Sequence, residues 1–163
     1  MENLLISACL LGIPCRYDGR SVKAVDVSAL REKYNLIPVC PEIYGGLPTP
    51  RTPSERQGDK TVMKDGRDVT ENYILGAKAA YDLCLELGCK KALLKEKSPS
   101  CGKGRIYDGT HTGTLTKGVF SVQEIFPRPP FTAEEVLETA ALAELYSDHP
   151  IAQSLRRAWG EDL

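Results

Sequence analysis

Leu4-Leu-Ile-Ser-Ala8 followed by Cys9, and Leu36-Ile-Pro-Val39 followed by Cys40, are two short apolar runs, each the length of a buried strand. Between them, Val25 to Tyr34 reads as a helix with Asp26 or Ser28 placed to cap its free amides. Strand, helix and strand make a β-α-β unit, the building block of a parallel sheet.

Working outward, Thr70 is placed to cap a second helix, in which Ile74, Ala77, Tyr81, Cys84 and Leu87 recur at three- and four-residue spacing before Gly88 stops it. Lys91 to Lys95 reads as a third strand and leads into Glu96-Lys-Ser-Pro-Ser-Cys-Gly102, where Pro99 and Gly102 forbid regular continuation. The stretch from Pro41 to Gly66 is too polar and proline-broken for a core element and reads as one long loop, a kind that is usually functional. Thr132 with Glu135 is a capping box for a helix carrying Val136, Leu137, Ala140 and Leu145, and Ile151 to Trp159 reads as a last helix. The fold expected is α/β: a single compact layered domain over residues 1–163, with a small, mainly parallel sheet flanked by helices.

Basic and acidic residues nearly cancel, 21 against 22, so no strongly positive surface is available for a phosphate backbone and nucleic acid is not an expected partner. No apolar run approaches the roughly 18 residues that span a bilayer, and Met1-Glu2-Asn3 lacks the basic opening of a secretory signal. A cytoplasmic protein without membrane contact is expected, its six cysteines reduced.

In open parallel sheets ligands gather beyond the carboxyl ends of the strands. Cys9, Cys40 and Cys101 all lie at or past such ends, far apart in sequence but placed to meet in space. Three thiolates without a clear fourth ligand leave two readings: a zinc ion with three sulfurs and a water, or a cubane cluster with one iron exposed. Cys84, on its helix's apolar stripe, and Cys89 read as small buried hydrophobes, whereas Cys15 is near enough to Cys9 to reach the same site. His111 and His149 read as surface loop residues.

Ser7-Ala-Cys-Leu-Leu-Gly12 with Arg16-Tyr-Asp-Gly19, Val39-Cys-Pro-Glu42 with Gly45-Gly-Leu47, and Leu94-Lys-Glu-Lys-Ser-Pro-Ser-Cys-Gly102 resemble a bacterial family once catalogued as a domain of unknown function, whose members act as thiouracil desulfidases. Pro50-Arg51, Glu55-Arg56, Asp65-Gly-Arg-Asp-Val-Thr70 and Ile106-Tyr-Asp-Gly-Thr110 continue the resemblance in order to about residue 113. From about residue 115 the chain departs from the family's pattern into a longer helical tail. The resemblance implies a 4Fe-4S cluster on Cys9, Cys40 and Cys101, a catalytic carboxylate at Glu42 and a serine of the Ser-Pro-Ser-Cys loop, Ser98 or alternatively Ser100. It further implies non-redox desulfuration of a thiolated pyrimidine, 2-thiouracil giving uracil and hydrosulfide.

Around these, Arg16, Arg51 and Arg56 offer guanidinium forks for cluster sulfides, a pyrimidine oxygen or an anion, or else ordinary salt bridges. Gly45 and Gly46 allow close backbone approach to a flat ligand, and Tyr17 and Tyr44 can stack on a pyrimidine ring. A zinc hydrolase with a three-cysteine site and a non-enzymatic sulfur or metal carrier are the rival readings, and monomer and homodimer both fit.

Overall fold

The computed structural model describes residues 1–22, 26–102, 104–117, 132–135 and 160. The chain divides into two units, residues 1–118 and 119–163.

The first unit is built on a three-stranded parallel sheet in which β1 (Glu2–Ser7) lies between β2 (Tyr34–Val39) and β5 (Lys91–Leu93). Leu4 pairs with Leu36 and Ser7 with Val39 on one side, while Leu4 pairs with Lys91 and Ile6 with Leu93 on the other. A central parallel strand is covered on both faces, which is why Leu4, Leu5, Ile6 and Ser7 form an unbroken buried run. Ile6 packs with Ala8, Cys9, Leu10 and Cys15 on one face, and Leu5 with Val39 and Ala80 on the other.

The expected first helix is reduced to a single turn, α1 (Ser28–Arg31), residues 23–25 lying outside the described ones. Of its two candidate caps Asp26 acts, its Oδ1 accepting the Ser28 N–H at 2.9 Å. The segment read as one long loop contains a turn of helix, α2 (Pro41–Tyr44), and a hairpin, β3 (Ser54–Gln57) with β4 (Lys60–Met63). Gly58 takes φ 60° at the first position of its two-residue turn, a conformation that glycine adopts without strain.

Helix α3 (Thr70–Glu86) forms where the periodicity places it, but its cap and its phase differ from the expected ones. Asp68 Oδ1, not Thr70, takes the first amide, accepting the Thr70 N–H at 3.0 Å and its hydroxyl at 2.6 Å, while Thr70 Oγ1 accepts the Thr61 N–H at 3.0 Å. Ala77 and Tyr81 face solvent, and Gly76 and Ala80 are the buried positions. The small residues win because α2 crosses there at close range: a Cβ on Gly76 would strike the Pro41 carbonyl, and one on Gly45 the Asn72 carbonyl. Gly45 therefore serves helix packing, and Gly46, at φ 82°, ends α2.

Leu83, Cys84 and Cys89 pack beneath Leu5 and Val39, as expected of apolar thiols. After β5, a second hairpin of β6 (Arg105–Tyr107) and β7 (Leu115–Lys117) closes the first unit. In the second unit the capping box is formed: Glu135 N–H donates to Thr132 Oγ1 at 3.3 Å, and Thr132 N–H to Glu135 Oε2 at 2.8 Å. The expected Val136–Leu145 stripe and the 151–159 helix lie outside the described residues. Among those residues no helix is long and apolar enough to cross a membrane.

Candidate active site

The carboxyl ends of the three parallel strands open onto a cavity of about 360 Å³, within the range of small-ligand sites. Cys9 enters it from the turn Ala8–Leu11 after β1, Cys40 directly from the end of β2, and Cys101 from the loop after β5. Burial, and then the Cys101 and Cys40 thiols, push the Cys9 thiol up, while Lys95 and Arg16 pull it down, so the three sulfurs share one electrostatic field. Burial also pushes up the Cys101 thiol, against hydrogen bonds from Ser7 and Ser100 that favour its thiolate. Ser7 in addition ties the strand ends together, its Oγ accepting the Lys95 N–H at 2.9 Å.

Among the described residues no three Cys, His, Asp or Glu side chains gather tightly enough to hold a single metal ion. Sulfur ligands of one zinc would all stand about 2.3 Å from it, whereas each thiolate on a cubane holds a different iron and the sulfurs stand wider apart. Three soft thiol donors from three strand ends, close enough to feel one another's charge, are the donor set that a cubane with one open iron requires.

Glu42, in the first turn of α2, is held from two sides. Arg51 Nε and Nη2 both reach its Oε2, at 2.7 and 2.5 Å, and its Oε1 accepts the Ser100 hydroxyl at 2.9 Å. Arg51 is 3% exposed and its remaining N–H groups go to the carbonyls of Pro48 and Cys15 and to Thr49 Oγ1. A guanidinium so fully engaged holds a carboxylate and has nothing left for an incoming anion. Ser100 Oγ also lies 3.7 Å from Cys101 Sγ, and Ser98 Oγ stands 3.0 Å behind Ser100. Ser100 is thus the serine that meets Glu42 directly.

Arg16 and Tyr17 line the cavity, with the Arg16 guanidinium 5.9 Å over the Tyr17 ring and 3.0 Å from Asp18. Cys15 lines it too, its thiol pushed up to about 12 by burial and then by Cys40. Tyr44, Gly45, Gly46 and Arg56 do not form part of the wall. The Tyr44 hydroxyl turns to the Pro38 carbonyl at 3.2 Å, and Arg56 Nε to the Gly58 carbonyl at 2.9 Å.

Several wall residues carried no sequence signal. Tyr73 comes from α3; burial and then the Glu42 charge push its phenol up, so it stays protonated. His111, expected on the surface, has a side chain only 14% exposed and lines the cavity. Its loop is pinned by Glu55, whose Oε2 accepts the N–H groups of Gly109 at 3.0 Å and His111 at 2.9 Å. A carboxylate on a strand two residues after a proline gave no hint of that role.

Comparison with known proteins agrees with this geometry. A solved structure of the [4Fe-4S]-dependent thiouracil desulfidase TudS is 50% identical, with a TM-score of 0.69 over 72% of this chain and 80% of TudS. The protein YbbK of Bacillus subtilis (strain 168) is 38% identical over 125 residues, covering 71% of this chain and 83% of YbbK. A short likeness of 52 residues, 60% identical, links 32% of the chain to the cadmium, zinc and cobalt-transporting ATPase of the same organism, but spans only 7% of that pump. The model of the family described as 2-thiouracil desulfurase matches residues 4–134, most of the chain, and the chain belongs to that family.

Proposed function

We propose that this chain removes sulfur from 2-thiouracil, giving uracil and hydrosulfide, at a 4Fe-4S cluster held by Cys9, Cys40 and Cys101. The observation that carries the reading is the convergence of thiols from three strand ends on one cavity whose wall also holds the Arg51–Glu42–Ser100 chain. When bound, the cluster supplies a Lewis-acidic iron that takes up the negative charge growing on the substrate's sulfur.

The residues of the chain supply the rest. Glu42 Oε1 takes a proton from the water that attacks the thiocarbonyl carbon, and Ser100, bonded to that oxygen, passes a proton on to the departing sulfur or the ring. Arg51 holds the carboxylate fixed in direction. Arg16 and Tyr17 cover the cavity's edge, where the flat ring would lie against an aromatic face. The cytoplasm, where thiols stay reduced, is the compartment that suits a chain with six free cysteines.

The test is oxygen-free purification, with iron and sulfide content and visible absorption recorded before 2-thiouracil is added. About four irons per chain and hydrosulfide release that Glu42→Ala abolishes are expected. A protein that stays colourless and inactive after cluster reconstitution overturns the reading.

A further inference from the structure

Four of the six cysteines line the cavity; the other two, Cys84 and Cys89, do not. Both pack instead on the face of the sheet that Leu5 and Val39 present, and both are half-buried. The end of α3 explains why they meet. Gly88, at φ 62°, turns the chain back, its N–H donating to the Leu85 carbonyl at 3.1 Å and the Cys89 N–H to the Cys84 carbonyl at 2.8 Å. These are the two bonds of the Schellman motif, which is commonly accompanied by an apolar contact between the residues joined by the longer one.

Here both partners of that contact are thiols. The Cys84 thiol donates to the Cys89 carbonyl at 3.3 Å, and the two thiols are themselves within side-chain hydrogen-bonding reach of each other. Any small apolar pair would satisfy the motif, but two thiols held side by side at the protein's surface add a chemistry that such a pair lacks. The backbone bonds fix both Cα positions, so the sulfurs are brought together before any reaction begins.

We propose that Cys84 and Cys89 form a dithiol site that reacts reversibly with low-molecular-weight disulfides, closing an intramolecular disulfide across the end of α3. One cysteine thiolate attacks the small disulfide and bonds to one of its sulfurs, while the other sulfur leaves as a thiol. The second cysteine thiolate then attacks the first cysteine's sulfur, forming the protein disulfide and releasing the second small thiol. Two protein thiols are oxidised, one small disulfide is reduced to two thiols, and two protons pass from the former to the latter. Burial, and then Cys84, push the Cys89 thiol up, so exchange quickens as pH rises above neutral. Closure ties the last turn of α3 to the chain two residues before β5. The site is separate from the cavity and does not depend on the desulfidase reading.

The test equilibrates the full-length protein, purified without oxygen, with mixtures of oxidised and reduced glutathione. Remaining thiols are then alkylated, and the tryptic fragment 79–90, which carries Cys84 and Cys89 and no other cysteine, is weighed. With oxidised glutathione in excess the fragment should appear unalkylated and lighter by two hydrogens, and dithiothreitol should restore both alkylation sites. Cys84→Ser should stop at a glutathione adduct on Cys89. Unfolding in urea should shift the equilibrium toward the dithiol by about tenfold or more, since the motif no longer holds the sulfurs together. A fragment that is alkylated twice at every glutathione ratio, or that carries glutathione without closing, overturns the site. So does an equilibrium that is the same in folded and unfolded chains, because nearness in sequence alone would then account for closure.

Discussion

Arg51 closes on one oxygen of Glu42 with two of its nitrogens, Nε at 2.7 Å and Nη2 at 2.5 Å, and leaves the other oxygen to Ser100. The carboxylate is thereby aimed. Arg51→Lys keeps the charge but not the fork. It should lower kcat about a hundredfold with little change in KM, the signature of a misdirected group, in a hydrosulfide-release assay. Arg51→Ala strands a carboxylate only 12% exposed and should cost about 3 kcal/mol in urea unfolding.

The two serines of the cysteine loop should separate cleanly. Ser100 touches both Glu42 Oε1 and the Cys101 sulfur, while Ser98 touches Ser100. Ser100→Ala is expected to reduce kcat by about a hundredfold or more and Ser98→Ala by far less, measured as hydrosulfide release at saturating substrate. Equal losses would show that the two hydroxyls act as one relay.

Iron content should follow position at the strand ends. Serine at Cys9, Cys40 or Cys101 should remove most of the bound iron and the brown colour, whereas Cys84→Ala, on the α3 side of the sheet, should retain both. Iron retained by a Cys40→Ser variant would count against the donor set.

Gly76 carries the α2–α3 crossing. An alanine there meets the Pro41 carbonyl, so Gly76→Ala should destabilise by about 2 kcal/mol through overpacking. Because the displaced turn also bears Glu42, activity should fall by more than the loss of stability explains; parallel denaturant melts and rate measurements check both.

Asp68 is held at about 2 by the Thr70 hydroxyl and amide and by Lys60, below its unfolded value of about 3.9. A lowered carboxylate stabilises the fold above the unfolded value, and that contribution is lost as pH falls through the folded one. Stability should therefore decline between about pH 4 and pH 2, and Asp68→Ala should flatten that part of the curve relative to the parent. Salt should weaken only the Lys60 share, since both charges are solvent-exposed.

The sheet was legible because burial on both faces writes β1 as a continuous apolar run, and the half-buried edge strand β2 still carries Leu36, Ile37 and Val39 just before a cysteine. The family-matched residues of the site, Cys9, Cys40, Cys101 and Glu42, were legible by resemblance, and they do share one cavity. The hairpin β3–β4 was not, since Ser54-Glu55-Arg56-Gln57 contains no apolar residue and its buried position is an acid engaged with a distant loop. The phase of α3 escaped for a related reason: Gly76 and Ala80 are buried for their smallness, which a hydrophobic stripe does not record. His111 was hidden because its burial depends on Glu55, 56 positions earlier in sequence.

The three strand ends also impose an order on biosynthesis. Cys9 and Cys40 emerge early, but the third thiol arrives only after β5 and the Ser98–Ser100 turn have been made. A nascent chain shorter than that carries only two of the three proposed cluster ligands. With the donor set proposed above, cluster insertion is postponed until the parallel sheet can be assembled, and the cofactor becomes a checkpoint that a truncated product does not pass.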